Sequence, residues 1–294
     1  MELKARAKIN LSLDVVGRRP DGYHLVRMVM QTVDVCDTLV LQKKDSAGIS
    51  LACDAPGVPA DSRNLAWKAA ELLMQEFGVR DGVSILLKKR IPSAAGLAGG
   101  SADAACVLKG VNELFGFGLT EEELCRRAVK LGADVPYCII GGTALSEGIG
   151  EILTKLPPVP DCRILLAKPE DSVPTGQVYH DLDLLESYPH PDVDGQIRAI
   201  REGDLDGIVH TMGNVLELVT IPHHPAVTEL IQIMERNGAE RARMSGSGPT
   251  VFGIFRREED ARIAYEELEN SGLAKDVFLT RPYPVTDTMQ EVYA

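Results

Sequence analysis

A run of small residues at 91–105 carries the spacing in this sequence that most directly indicates chemistry. Gly96, Gly99 and Gly100 would let backbone N–H groups turn toward an anion, and Ser101 adds a hydroxyl. A helix expected over 100–114 would point its positive end at the same place. The spacing matches neither a Walker A loop nor the dinucleotide fingerprint. We predict a polyphosphate-binding loop; a tight strand-to-helix turn is the alternative.

Polar side chains also recur on one face of a predicted strand near the N-terminus. Lys8 and Asn10 alternate with apolar residues, and Ser12 is expected to continue their face. A lysine, an amide and a hydroxyl in line would suit a polar ligand, although a lone strand lysine more commonly faces water. Tyr23 and His24 follow in a loop, where they could stack on and hydrogen-bond to a planar base or cap the loop against the core.

Two further places could take part in the same chemistry. Asp134, between Gly132 and Pro136, is interpreted either as a helix N-cap or turn residue or as a carboxylate that accepts a proton from a hydroxyl. Gly246 and Ser247 belong to a second glycine loop, which could be another anion site or a plain hairpin turn. The six histidines form no metal-binding pattern, and there is no Gly-x-Ser-x-Gly elbow.

Along the rest of the sequence, the spacing of apolar residues indicates strands and helices that do not strictly alternate. This order predicts an α+β fold in two layers. Helices are expected over 64–77, 100–114, 120–131 and 257–271, with mostly helical pattern over 196–237. Strands are expected over 6–16, 38–41, 49–52, 83–87, 163–167, 250–255 and 276–279, with 49–52 pairing with 38–41. The proline-rich stretch 156–160 predicts a boundary between domains 1–156 and 157–294.

Composition limits the possible partners. The chain has 294 residues and a net charge of -12, which argues against binding to nucleic acid or to an anionic membrane surface. Six scattered cysteines without a Cys-x-x-Cys pair predict reduced, buried thiols, and no apolar run approaches the roughly 20 residues of a membrane span. We therefore expect a cytoplasmic protein that acts on a small molecule; its oligomeric state is not set by the sequence.

Taken together, these segments resemble the GHMP kinase superfamily, which phosphorylates galactose, homoserine, mevalonate and phosphomevalonate. Its three motifs appear in order as 8–13, 92–105 and 245–249. The strand around Lys8, joined to the loop 17–24, is similar to the branch that phosphorylates the C2 hydroxyl of a cytidine-diphosphate-linked methylerythritol. The resemblance implies an N-terminal domain like domain 2 of ribosomal protein S5 and a ferredoxin-like α/β C-terminal domain.

The resemblance also implies roles for individual residues. Lys8 and Asp134 would be the catalytic pair, with Asp134 as the base and Lys8 holding it ionised. The triphosphate of ATP would be wrapped by Pro92, Ser93, Ala94, Ala95, Gly96, Leu97, Ala98, Gly99, Gly100, Ser101 and Ala102. The substrate would be bound by Asn10, Tyr23, His24, Thr175, Tyr179, Gly246 and Ser247. Mg²⁺ is expected with ATP, but no residue is a clear ligand for it.

Two residues depart from the pattern of the superfamily. Ala98 and Ala102 stand where glycine and serine are common, and we expect the amide of Ala98 to donate with φ remaining negative. Two other functions remain open at this point. One is a kinase of the same superfamily that acts on another small alcohol, and the other is a nucleotide-binding regulator that has lost catalysis.

Overall fold

The computed structural model describes residues 1–284, whose backbone forms two β-sheets covered by helices. The strands are β1 (Glu2–Arg18), β2 (His24–Lys44), β3 (Gly48–Cys53), β4 (Gly82–Lys88), β5 (Thr143–Glu147), β6 (Ile152–Leu156), β7 (Arg163–Lys168), β8 (Gly213–Asn214), β9 (Arg241–Met244), β10 (Val251–Phe255) and β11 (Asp276–Thr280). The helices are α1 (Leu65–Glu76), α2 (Gly99–Phe115), α3 (Glu121–Ala128), α4 (Val135–Ile140), α5 (Thr175–Leu182), α6 (Val193–Glu202), α7 (Leu205–His210), α8 (Glu217–Thr220), α9 (Pro225–Arg236) and α10 (Glu258–Ser271). The α+β prediction is confirmed.

The first sheet is built around the long antiparallel pair β1 and β2. Its order is β3-β4-β2-β1-β8, while β5 pairs with another part of β2 and with β6. Every residue of β1 from Ala7 to Val15 is buried, as in a strand that is covered on both faces. Register shifts interrupt its pairing with β2 between Arg6 and Lys8 and between Asn10 and Ser12, and each extra residue bends the strand.

One predicted strand pairing is wrong. The segment 49–52 lies in β3, which pairs in parallel with β4 and not with β2. The position beside β2 is taken by β4, whose residues Val83–Leu87 pair antiparallel with Leu39–Lys43. Alternating apolar residues predicted the strand itself, but they carry no information about its neighbour, since any half-buried edge satisfies the pattern.

Helix ends follow their capping residues. The Asn64 side chain accepts a hydrogen bond from the amide of Ala66 and begins α1. Thr120 and Glu123 form the predicted capping box of α3, which ends at Ala128, three residues before the predicted end. Helices α1, α2 and α4 contribute buried residues to one apolar core with β2 and β4.

The second sheet has the order β11-β7-β10-β9 and packs against α9 and α10. A further apolar core joins the two sheets, with Ile9 and Val29 from the first and Ile164 and Phe252 from the second. Between β6 and β7 the chain passes from the first sheet to the second, and β8 then returns to pair with β1. The boundary at 156/157 stays a prediction.

All six cysteines are free; Cys106 and Cys162 are buried, while the other four are half-buried. Among residues 1–284, none of the helices combines the length and the apolar character that a membrane crossing requires.

Candidate active site

The first glycine loop, residues 92–102, lies directly against the second, residues 245–249. The Ser245 hydroxyl donates a hydrogen bond of 3.0 Å to the carbonyl oxygen of Gly96, across 149 residues of sequence. Gly96 has φ +74°, and a Cβ there would lie 2.0 Å from the backbone oxygen of Ser245. Only glycine satisfies both the backbone conformation and the contact.

Alanine at the start of α2 adopts a conformation that we did not expect. Ala98, the N-cap of α2, has φ 55° and ψ 31°, in the left-handed region, and Ala94 also has a positive φ of 50°. The expectation of a negative φ at Ala98 is therefore wrong. The strand-to-helix connection needs a left-handed residue at this position, and a Cβ there costs about 1–2 kcal/mol.

Lys8 lies beneath the first loop and is 4% exposed. Its Nζ donates hydrogen bonds to Asn10 Oδ1 at 2.7 Å and to the Gly96 carbonyl oxygen at 2.9 Å. The same Nζ is 3.8 Å from Asp134 Oδ2. A buried ammonium needs such partners, and these three fix its position at the edge of the loop.

Asp134 occupies the N-cap position of the six-residue helix α4, yet its side chain makes no capping hydrogen bond. The carboxylate is 33% exposed and its one charged neighbour in residues 1–284 is Lys8. Each of the two interpretations of Asp134 therefore agrees with part of the structure. The residue stands at the start of a helix, and its carboxylate is not used for capping and could accept a proton from a ligand.

The second glycine loop is held by side chains of the C-terminal half. The buried Asn214 Nδ2 donates to the carbonyl oxygens of Met244 and Gly246, at 2.9 and 2.8 Å. The hydroxyls of Thr175 and Ser247 are 2.8 Å apart. Because these bonds satisfy the polar groups of the loop, Gly246 is fixed beside Lys8, whose Nζ would lie 3.4 Å from a Cβ at that position.

One cavity of about 1060 Å³ brings the predicted residues together. Its wall includes Lys8, Asn10, Tyr23, His24, Pro92, Ser93, Ala94, Ala95, Gly96, Ala98, Gly99, Gly100, Ser101, Asp134, Thr175, Tyr179, Gly246 and Ser247. Leu97 and Ala102 are instead buried in the apolar cores. Ser12 was expected on the face of Lys8 and is buried away from the cavity, where Leu13 lines the wall. The register shift after Asn10 explains this error, since one extra residue exchanges the two faces of a strand.

We call the part of the cavity formed by the two glycine loops and Lys8 the phosphate end, after the ligand that the sequence predicts for it. Another part, formed by Tyr23, His24, Tyr179 and Asp183, is called the base end, after the planar base that the sequence predicts there. There the rings of His24 and Tyr179 stack with centroids 4.8 Å apart, and His24 Nε2 lies 2.8 Å from Asp183 Oδ1. Tyr23 is 59% exposed. Burial raises the pKa of the Tyr179 phenol, which therefore stays neutral.

Sequence reasoning missed the wall beyond the first loop. Val58, Asn64, Leu65 and Lys89 line this side, where an apolar surface meets a few polar groups. Asn64 was recognised only as the beginning of a helical pattern. No motif in the sequence distinguishes this wall from an ordinary loop between β3 and α1.

A buried cluster of charges lies under the N-terminus of α2. Lys89 Nζ contacts Asp37 and is 2.7 Å from Asp103 Oδ2. Burial raises the pKa of the Asp103 carboxyl to about 7, with Lys89 opposing and Asp37 reinforcing the shift. The two carboxylates also raise the pKa of Lys89 against its burial. Asp37 Oδ1 accepts the amide of Ile91 at 2.8 Å, so the cluster ties the first loop to β2.

Residues 1–284 contain no group of three or more His, Cys, Asp or Glu side chains that could hold a metal ion. A cation bound here would take most of its ligands from a phosphate and few from the protein. Mg²⁺ commonly binds in this way, through one or two carboxylates and the phosphates of a substrate.

Comparison with known proteins identifies the class to which this fold and this cavity belong. The model of the GHMP kinases N terminal domain matches residues 64–142, and that of the GHMP kinases C terminal domain matches residues 196–274. The crystal structure of a homoserine kinase from Cytophaga hutchinsonii has the same fold, with a TM-score of 0.78 at 19% identity over 95% of this chain and 94% of that one. The chain is a GHMP kinase with the two-domain α+β fold of that superfamily.

Closer relatives narrow the family. The 4-diphosphocytidyl-2-C-methyl-D-erythritol kinase of Acetivibrio thermocellus is 51% identical over 92% of this chain and 95% of its own length. That of Lachnoclostridium phytofermentans is 47% identical over 96% and 97%. A crystal structure of 4-(cytidine 5'-diphospho)-2C-methyl-D-erythritol kinase superposes with a TM-score of 0.81 at 33% identity, covering 96% of this chain and all of that one. The chain belongs to the family of 4-diphosphocytidyl-2-C-methyl-D-erythritol kinases, and as a GHMP kinase it uses ATP as its phosphate donor.

Proposed function

We propose that this enzyme transfers the γ-phosphoryl group of ATP to the C2 hydroxyl of 4-diphosphocytidyl-2-C-methyl-D-erythritol, a step of the non-mevalonate route to isoprenoids. The observation that carries the proposal is the position of the Lys8–Asp134 pair. The pair lines one cavity together with both glycine loops and the aromatic residues of the base end. A phosphate donor and a cytidine-linked acceptor bound at these two ends would meet at the pair.

Asp134 is the proposed general base. Its carboxylate is 33% exposed, lines the cavity and makes no capping hydrogen bond within residues 1–284, so it can accept the proton of the C2 hydroxyl. Lys8, held by Asn10 and Gly96, stays within 3.8 Å of that carboxylate and places a positive charge where negative charge develops on the attacking oxygen.

The phosphate end is proposed to bind the triphosphate. Residues of the first loop and of the N-terminus of α2 line the cavity, and the backbone amides of such a loop and helix start favour a bound anion. The wall that includes Val58 and Leu65 would receive the adenine, because it offers apolar surface to a planar base. Mg²⁺ bound with ATP would neutralise phosphate charge, and the Ser101 hydroxyl, which lines the cavity, would be an oxygen ligand for it.

The base end is proposed to bind the cytosine. Since the rings of His24 and Tyr179 are already stacked, no base fits between them, and His24 would contribute through the edge of its ring. Tyr23, more than half exposed, is the ring with a free face for stacking. Asn10, Thr175, Gly246 and Ser247 also line the cavity and would contact the diphosphate and polyol parts of the substrate.

Free cysteines and a net charge of -12 support the proposed cytoplasmic location and the absence of a nucleic-acid partner. Neither the location nor the absence of a nucleic-acid partner depends on the roles proposed for Lys8 and Asp134.

The test is an ADP-release assay with ATP, Mg²⁺ and 4-diphosphocytidyl-2-C-methyl-D-erythritol, with homoserine and mevalonate as alternative acceptors. We expect turnover with the cytidine-linked acceptor alone, inhibited by cytidine 5'-diphosphate. Turnover with another alcohol, insensitive to cytidine nucleotides, would support a different kinase of the superfamily. Binding of ATP without product from any acceptor would support the nucleotide-binding regulator.

A further inference from the structure

A carboxylate far away in sequence contacts the histidine of the base end. His24 is the first residue of β2, and Asp183 directly follows α5, 159 residues later. Asp183 Oδ1 lies 2.8 Å from His24 Nε2, and the two side chains are 28% and 13% exposed. Both residues line the cavity. Neither motif reasoning nor the proposed mechanism gives Asp183 a role.

We propose that Asp183 is a positioning residue that fixes the tautomer of His24 and thereby makes the site select cytosine over uracil; this rests on the proposed function. An ionised carboxylate only accepts hydrogen bonds, so the proton of the neutral imidazole must sit on Nε2. Nδ1 is then an unprotonated acceptor, and within residues 1–284 it has no hydrogen-bond partner. It is the ring nitrogen left for a ligand.

The two pyrimidines differ at the atom that such an acceptor would meet. Cytosine carries an amino donor at C4, whereas uracil carries a carbonyl acceptor there. An amino group would complete the bond to Nδ1, while a carbonyl would place two acceptors against each other. A site built to take a hydrogen bond rejects a ligand that cannot supply it, because its own polar atom is left unpaired.

Arg18 completes the arrangement from the neighbouring strand. Its Nη1 donates to Asp183 Oδ2 at 2.9 Å, and its Nε donates to the Gly22 carbonyl at 3.3 Å. The two oxygens of Asp183 thus have separate partners, which holds the carboxylate in one orientation. The guanidinium also offsets the charge of Asp183, so the group of three is neutral when His24 carries one proton.

The experiment compares the wild-type chain with Asp183→Asn, whose amide can accept from or donate to Nε2 and so permits both tautomers. Asp181→Asn is the matched control, since Asp181 lies in α5 two residues before Asp183 and accepts a hydrogen bond from Gln177 rather than contacting His24. Calorimetry would measure the affinities for cytidine 5'-diphosphate and uridine 5'-diphosphate. Nitrogen-15 NMR would report the protonation of the His24 ring, with His24→Gln used to assign its signal among the six histidines.

We expect the wild type and Asp181→Asn to prefer the cytidine nucleotide by at least about tenfold, with protonated Nε2. In Asp183→Asn the preference should fall to within about threefold of equality, with both tautomers present. An Asp183→Asn variant that keeps the wild-type preference, or that weakens both nucleotides equally, would overturn the inference alone. A wild type with no preference would overturn the cytosine part of the proposed function as well.

Discussion

The two ends of the cavity are built by different means. At the phosphate end, backbone groups and buried side chains fix each other: Gly96 contacts both Lys8 and Ser245, and Asn214 holds the second loop. At the base end, partly exposed side chains make the contacts, as between His24, Asp183 and Arg18. Transfer chemistry requires atoms held within fractions of an ångström, whereas recognition of a base needs a few directional groups that can adapt. Substitutions at the phosphate end should therefore affect rate and stability together, and those at the base end should affect selectivity.

The largest effect is expected at Asp134, where the two ends meet. Asp134→Asn keeps the shape of the side chain but removes the proposed base, so kcat should fall about a hundredfold or more. The KM values for ATP and for the acceptor should change little. Steady-state ADP release with each substrate varied would measure this, and near-normal turnover would reduce Asp134 to a structural role.

The second prediction compares the loss of stability caused by one substitution at the phosphate end with that caused by one at the base end. Gly96→Ala places a Cβ 2.0 Å from Ser245 O at φ +74°, and should lower the free energy of unfolding by about 3 kcal/mol together with kcat. Gly176→Ala lies in the first turn of α5 at the base end, where the described residues leave open space around a Cβ. It should leave stability equal or slightly higher, since alanine favours the helix. Urea unfolding would measure both, and equal losses would contradict the contrast.

The buried Asp103 carboxyl should have a smaller effect, which is a dependence of the free energy of unfolding on pH. The pKa of Asp103 is about 7 in the folded chain and near 3.8 ordinarily, so between these values the folded chain holds a proton that the unfolded chain has lost. The free energy of unfolding should therefore fall as pH rises from about 4 to about 7. Asp103→Asn cannot ionise, so its stability relative to the wild type should be higher at pH 8 than at pH 5.

Urea unfolding at the two pH values would test this effect, with Asp181→Asn in α5 as the control that should show no such difference. Identical pH dependence in Asp103→Asn and the wild type would show that the Asp103 carboxyl does not hold a proton in the folded chain.

The smallest effect concerns the left-handed alanine. Ala98→Gly would relieve about 1–2 kcal/mol of backbone strain and lose part of it to the greater freedom of unfolded glycine, so stability should rise by about 0.5–1 kcal/mol. Ala102→Gly, within α2, should instead lose about 1 kcal/mol. Thermal unfolding distinguishes the two, and a loss in both variants would mean that Ala98 is not strained.

Local patterns predicted much of the phosphate end. The first loop and the strand of Lys8 depend on residues close together in sequence, and the structure places them as expected. The capping box at Thr120, which begins α3, is equally local and was predicted for the same reason. The conformation of Ala98 could not be predicted, because an alanine at positive φ is decided by the connection between β4 and α2 and not by its own preference.

Contacts between distant segments were out of reach. Asp183 and Asn214 have no motif around them. Asp183 acquires its partners only when the end of α5 comes next to β1 and β2, and Asn214 only when β8 comes next to the second glycine loop. Ser12 shows the same limit within a single strand: the register shift after Asn10 comes from pairing with β2, which no alternation of residue types reveals.

The hydrogen bond between Ser245 and Gly96 has a consequence for the growing polypeptide. A nascent chain that has reached residue 200 already contains Lys8, the first glycine loop and Asp134, but Ser245, which supports that loop, has not yet been synthesised. Domains generally fold in order during translation, so strands of the N-terminal sheet can pair before Ser245 is synthesised. We expect phosphoryl transfer to begin only after the ribosome has passed about residue 250, so that prematurely terminated chains do not consume ATP.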